Sequence, residues 1–135
     1  MLTKLLKQSG LKATKQRLFI LEELLLHTHP TIDDLYAKIK QKEPKLSLAT
    51  LYKNLNLLIE KDIVTKIEIK NEKSRFDIFD KPHIHSVCSN CKEIVDLDDE
   101  LLDLCKEKIE ERLNEKVERL HVVLSTASCK KCKEG

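Results

Sequence analysis

The sequence predicts an α+β protein in two parts, on three observations. Apolar residues recur at helical spacing as far as Glu60, and two short alternating runs around a basic turn follow them. Beyond Lys81-Pro82 the pattern changes to strands and one long helix, punctuated by two Cys-x-x-Cys pairs.

The elements follow in order. A first helix over about Leu2 to Ser9 is stopped by Gly10, which can adopt the left-handed conformation that closes helices. Thr14 caps a second helix whose Leu18, Leu21 and Leu25 form one apolar stripe, and His27-Thr28-His29-Pro30 breaks it. Thr31-Ile32-Asp33-Asp34 opens a third helix, with Ile32, Leu35, Tyr36 and Ile39 on its apolar face. Ser47 caps a fourth, running to about Glu60. Its Leu48, Leu51, Leu55 and Leu58 are expected to face inward, leaving Thr50, Lys53, Asn54 and Leu57 outward beside Tyr52.

Strands are expected over Ile63–Ile69 and Ser74–Phe79, joined by the polar turn Lys70-Asn71-Glu72-Lys73. Short helices followed by a basic hairpin give the order of a winged helix-turn-helix over residues 1–80. Pro82 cannot continue a ladder, so residues 81–135 form a second, small α/β domain. Its strands are expected at His83–Cys88 and Glu93–Leu97, a helix near Asp99–Lys116 and a last strand at Val117–Leu124.

Charge divides the same way. Residues 1–80 carry 15 Lys/Arg against 11 Asp/Glu, a net of +4; residues 81–135 carry 10 against 12, a net of −2. A basic first half suits phosphate contact. No apolar tract is long enough to span a bilayer, and Met1 to Ser9 lacks the layout of an export signal, so a cytoplasmic protein without membrane contact is expected.

Reducing surroundings favour metal over disulfide for paired cysteines. Cys88-x-x-Cys91 and Cys129-x-x-Cys132 can close a tetrahedral thiolate cage around structural zinc, tying the chain across the 37 residues between the knuckles. Free thiols or a redox motif are the alternatives. Cys105, between Leu102 and Ile109 on a helix, is expected to be a buried small hydrophobe.

A second candidate centre contains no sulfur. His83 and His85 fall on one face of a strand because side chains alternate, with Asp77 on the preceding hairpin and Asp96 on the next strand. Imidazole and carboxylate suit iron or manganese, although the spacing alone is equally that of an exposed strand face. A zinc deaminase would carry His-x-Glu where this chain has His83-Ile84-His85, and no Ser/His/Asp or Gly-rich phosphate motif occurs, so an enzyme is not expected.

Three stretches together resemble the ferric uptake regulator family over nearly the whole chain. They are Gly10-Leu11-Lys12-Ala13-Thr14-Lys15-Gln16-Arg17, Leu48-Ala49-Thr50-Leu51-Tyr52-Lys53-Asn54-Leu55, and His83-Ile84-His85-Ser86-Val87-Cys88-Ser89-Asn90-Cys91. The resemblance is to its peroxide-responsive branch, because Asp96 stands where the iron-sensing branch usually has Glu. It implies a homodimeric repressor that reads a palindromic double-stranded operator, with the second domain as the metal-binding dimerisation unit. It also implies a regulatory Fe(II) or Mn(II) held by His29, Asp77, His83, His85 and Asp96. His29 takes that place over His27 because Pro30-Thr31-Ile32-Asp33-Asp34-Leu35-Tyr36 fits the family's pattern after it.

DNA contact is expected from Arg17, Thr50, Tyr52, Lys53 and Asn54. Peroxide is expected to release DNA by oxidising His29 or His83, and no small organic ligand is expected. An iron- or zinc-sensing repressor of the same family is the alternative, and a zinc metalloenzyme a distant one. The sequence departs from the family at Lys92, where Gly is usual, at Lys53, where Arg is common, and at Leu124–Ser128, which lacks the usual Tyr-Gly. An additional metal site of some relatives finds His121 here, but Pro82 and Ile84 occupy its other positions.

Overall fold

The computed structural model describes residues 1–78, 84–97 and 99–134. The chain divides into two compact units, Met1–Asp80 and Lys81–Gly135. The expected His83, the Lys81-Pro82 junction and the Phe79 end of the wing lie outside the described residues.

The first unit is four helices and a hairpin: α1 (Leu2–Gln8), α2 (Lys15–Leu24), α3 (Ile32–Lys42), α4 (Leu48–Glu60), β1 (Val64–Ile67) and β2 (Arg75–Ile78). Gly10 takes φ +79° just past α1. Each longer helix starts on a hydroxyl that satisfies an otherwise unpaired backbone donor. Thr14 Oγ1 accepts from the Arg17 N–H at 3.3 Å, and Ser47 Oγ from the Thr50 N–H at 3.1 Å. Thr31 and Asp34 form a reciprocal capping box. Leu6, Leu21, Leu24, Ile39, Leu51 and Leu58, all fully buried, centre the core that these helices share with the wing residues Val64 and Ile78. The hairpin pairs antiparallel with Thr65 opposite Asp77, and the strands are shorter than Ile63–Ile69 and Ser74–Phe79.

One face of α4 differs from expectation. Leu48 is 41% exposed, whereas Asn54 is only 8% exposed. Asn54 lies three residues after Leu51 and four before Leu58, so helical geometry carries it to the core side. A buried amide needs partners. Arg17 Nε donates to Asn54 Oδ1 at 3.1 Å, and its Nη1 donates to the Lys12 carbonyl at 3.0 Å, so Arg17 links α4, α2 and the loop before α2. Arg17→Ala strands the Asn54 amide and is expected to cost about 1–3 kcal/mol. Chemical denaturation measures it, and Asn54→Leu in the same background should recover most of the loss.

The second unit contains β3 (Ile84–Cys88), β4 (Ile94–Leu97), α5 (Asp99–Leu113), β5 (Val122–Thr126) and a short α6 (Lys130–Glu134) that the sequence pattern did not suggest. The sheet order is β4-β3-β5, with β3 antiparallel to β4 and parallel to β5. A parallel neighbour requires a crossover, and α5 supplies it. The last strand sits later than Val117–Leu124. Asn114 turns at φ +55° to end α5, the Val117 N–H is taken by Glu110 Oε2 at 2.8 Å, and pairing with β3 begins only at Val122 opposite Ile84.

Cys105 is exposed rather than buried. Leu102 is the inward residue of α5 at 4% exposure, while Leu101, Leu104 and Leu113 are 44%, 55% and 57% exposed. The expected inward face of this helix, with Cys105 and Ile109 on it, is therefore largely an open apolar stripe in the single chain. No described helix is long and apolar enough to cross a membrane.

Candidate metal centres and nucleic-acid interface

The parallel register of β3 and β5 gathers the four paired cysteines. Cys88 closes β3 opposite Thr126, the Ser89 N–H bonds the Thr126 carbonyl at 2.8 Å, and Cys129 follows three residues later. The sulfurs of Cys88 and Cys132 are 3.8 Å apart, those of Cys91 and Cys129 3.6 Å, and those of Cys129 and Cys132 3.5 Å. A disulfide needs about 2.05 Å. Four sulfurs each about 2.3 Å from a tetrahedral ion lie about 3.8 Å from one another, so the cluster fits zinc.

The thiols are polarised against each other. Backbone N–H groups of Cys91 and Cys129 hold the buried Cys88 thiol down to about 6 against the effect of burial. Cys91 is lowered by the Glu93 N–H but pushed up to about 12 by the Cys132 sulfur, burial and the other two sulfurs. Backbone donors thus favour ionisation at Cys88 while the neighbouring sulfurs oppose it at Cys91, and a divalent cation removes that conflict. Lys92, in the family's glycine position, stands at φ +65° with its N–H bonded to the Cys88 carbonyl at 2.8 Å. That conformation is what a glycine provides without steric cost.

Each unit also carries an imidazole–carboxylate pair. In the first, the loop after α2 is tied to β2: the Phe76 N–H bonds the Pro30 carbonyl at 2.9 Å, and Arg75 Nη1 bonds the His29 carbonyl at 3.1 Å. Buried His29 thereby meets buried Asp77, with Nε2 3.8 Å from Oδ2. In the second unit the β3–β4 register sets His85 opposite Asp96, with Nε2 3.6 Å from Oδ1. Both separations exceed a good hydrogen bond. Both are within the span of two ligands on one ion bound at about 2.1 Å. His121 stands edge-on to His85, with ring centroids 5.9 Å apart. Sequence reasoning passed over His27, whose Nδ1 is 3.0 Å from Asp77 Oδ1. The wing register that brings them together is invisible in local spacing.

The exposed residues of α4 are Leu48, Ala49, Tyr52, Lys53, Asn56 and Glu60, among which Ala49, Tyr52, Lys53 and Asn56 share one helical face, with Tyr52 44% exposed. Asn54 is turned to the core, and Thr50 is half-buried with its hydroxyl accepting from Ser47 Oγ at 2.8 Å. Asn56 was missed, although its spacing from Tyr52 and Lys53 marks it as their neighbour. Lys73, on the turn between β1 and β2, is paired with Asp33, whose carboxylate holds the Lys73 ammonium above its usual range.

Four helices and a two-stranded wing, followed by an α+β unit folded around four paired cysteines, define a two-part winged-helix protein with a thiolate metal-ligand cluster. The profile of the ferric uptake regulator family matches residues 8–125. The chain belongs to the ferric uptake regulator family.

It is 40% identical over 104 residues to a ferric uptake regulation protein of Campylobacter jejuni, covering 74% of this chain and 66% of that one. It is 41% identical over 92 residues to the peroxide operon regulator of Bacillus subtilis, covering 67% of this chain and 63% of that one. The match thus spans just under two thirds of each of these two relatives. The crystal structure of a Campylobacter jejuni peroxide stress regulator superposes with a TM-score of 0.83 at 44% identity, covering 98% of this chain and 99% of that one.

Proposed function

We propose that this chain is a metal-dependent transcriptional repressor, acting in the cytoplasm as a homodimer on a palindromic operator and released from it by peroxide. The observation that carries the reading is the separation of two donor chemistries: a four-sulfur cluster suited to structural zinc, and a sulfur-free imidazole–carboxylate pair in each unit. The likeness to the Bacillus and Campylobacter peroxide regulators supports it. The regulatory ligands are His29 and Asp77 from the reader unit, and His83, His85 and Asp96 from the second.

An ion held by both units favours one arrangement of reader against dimer, and it raises DNA affinity only by that preference. Fe(II) held by these ligands would supply reactivity toward peroxide, whose O–O bond would break with one oxygen going to a ligand imidazole and the other leaving as water, and Mn(II) would not. The chain's own residues do the rest. His29 is the imidazole whose loss unlinks the reader unit, and the exposed Leu101, Leu104 and Leu113 of α5 are covered by the second copy. A two-fold pair of recognition helices then requires half-sites about one turn of DNA apart or a multiple of it. An iron-sensing repressor is the second reading, favoured by the likeness to the Campylobacter ferric uptake regulation protein.

Tyr52 and Lys53 present the reading face of α4, with Asn56 beside them and Arg17 and Asn54 acting from behind. Lys53→Ala is expected to weaken operator binding and flatten its salt dependence by about one unit of slope. Tyr52→Ala is expected to cost about 1–3 kcal/mol, a loss of about 5- to 150-fold, largely on the specific site. Fluorescence anisotropy with operator and scrambled duplexes, at several salt concentrations, measures both. Unchanged operator binding in the two variants would move the reading surface elsewhere. The test of the repressor reading as a whole is metal-dependent selection of a palindrome from random duplex DNA. Recovery of no sequence with Fe(II) or Mn(II) present would overturn it.

A further inference from the structure

The reader unit's imidazole–carboxylate pair is built with a third member. Asp77 is 1% exposed, and its Oδ1 accepts from the Ile78 N–H at 2.9 Å and from His27 Nδ1 at 3.0 Å. Its other oxygen, Oδ2, is the one turned toward His29 Nε2. We propose that His27 is a positioning residue for Asp77: it holds Oδ1 so that the carboxylate offers the regulatory metal one oxygen, Oδ2. This rests on the metal-dependent reading above.

The geometry supports a built arrangement. His27 sits at φ +53°, a left-handed conformation that few residues adopt readily, with its N–H bonded to the Leu24 carbonyl at 3.0 Å at the end of α2. That turn directs the imidazole toward β2, across 50 positions of sequence, where Asp77 stands opposite Thr65 in the wing. The loop is held there by the bonds from Arg75 and Phe76 to the carbonyls of His29 and Pro30. For Asp77 to chelate through both oxygens, Oδ1 would have to give up the His27 bond and compete with the Ile78 N–H. His27 therefore both orients the ligand and limits it to one coordination position, leaving room at the ion for another ligand. Partners of this kind typically govern metal affinity by about 10- to 100-fold.

The test uses the full-length, zinc-loaded protein without DNA. His27→Gly keeps the left-handed backbone and removes the imidazole, and His27→Asn tolerates the same backbone and keeps a donor near the position of Nδ1. Mn(II) affinity is read from the resonance of unbound Mn(II), and the coordination number from the visible absorption of Co(II) at the same site.

His27→Gly is expected to weaken Mn(II) binding about 10- to 100-fold. It should also lower Co(II) absorption as a second carboxylate oxygen joins the ion. His27→Asn is expected to keep both readouts near wild type. Thermal midpoints of the forms lacking the regulatory ion, expected to agree, separate positioning from a general loss of structure. Unchanged affinity and an unchanged cobalt spectrum in His27→Gly would overturn the positioning role alone. An equal loss in His27→Gly and His27→Asn would do the same. A wild-type protein that takes up no second divalent ion would instead remove the metal-dependent reading, and this inference with it.

Discussion

Cys88→Ser is expected to abolish zinc retention and dimerisation together. Cys88 is the buried member of the cluster, at 2% exposure, and its sulfur accepts backbone N–H groups from both knuckles, Cys91 at 3.5 Å and Cys129 at 3.2 Å. It therefore joins β3 to the C-terminal segment even before an ion is considered. Structural zinc contributes on the order of 10–16 kcal/mol to small domains that close around it, and a hydroxyl is a poor replacement for a thiolate ligand. Loss of the cage should release the segment after β5 and loosen the sheet from which α5 presents its apolar stripe.

Zinc content by elemental analysis, sedimentation and thermal melting check the expectation. A Cys88→Ser protein that remains dimeric and cooperatively folded without zinc would overturn it. The pH dependence has a definite sign. Cys91, held up at about 12 without an ion, must lose its proton when zinc binds, so affinity falls as pH falls and zinc uptake releases protons.

With Fe(II) loaded, stoichiometric peroxide is expected to dissociate the protein from its operator, whereas the Mn(II) form stays bound. If metal couples to DNA with the usual 1–3 kcal/mol, the loss of affinity is about 5- to 150-fold. Peptide mass analysis should find one added oxygen on His29 or His83. His29→Ala is expected to lose the metal-dependent gain outright, because it removes the imidazole of the reader unit's pair. Asp96→Glu is expected to keep metal-dependent binding but lose most of the peroxide response. Equal sensitivity with iron and manganese, or no oxygen on either histidine, would favour the iron-sensing reading.

Much of the fold was legible because its signals are local. Thr14, Thr31 and Ser47 cap the helices they precede, since a hydroxyl can reach a backbone donor only two or three residues away. The two Cys-x-x-Cys pairs announce a cluster because each places two sulfurs on one turn, whatever the rest of the chain does. The helical period marks which of Leu21, Ile39, Leu51 and Leu58 face the core.

The tertiary structure alone decided what depends on pairing between distant segments. The start of β5 at Val122 follows from its parallel register with β3, not from the apolar run at Val117. The burial of Asn54 depends on Arg17 arriving from another helix to satisfy its amide. The exposure of Cys105 follows from which side of α5 meets the sheet, and a helical stripe does not say whether its own chain or a second one covers it. His27 looks like a loop residue beside the better-matched His29 until a left-handed turn and the wing register set its ring on Asp77. Spacing along the chain encodes what neighbours can do for one another, and only long-range pairing fixes which distant groups become neighbours.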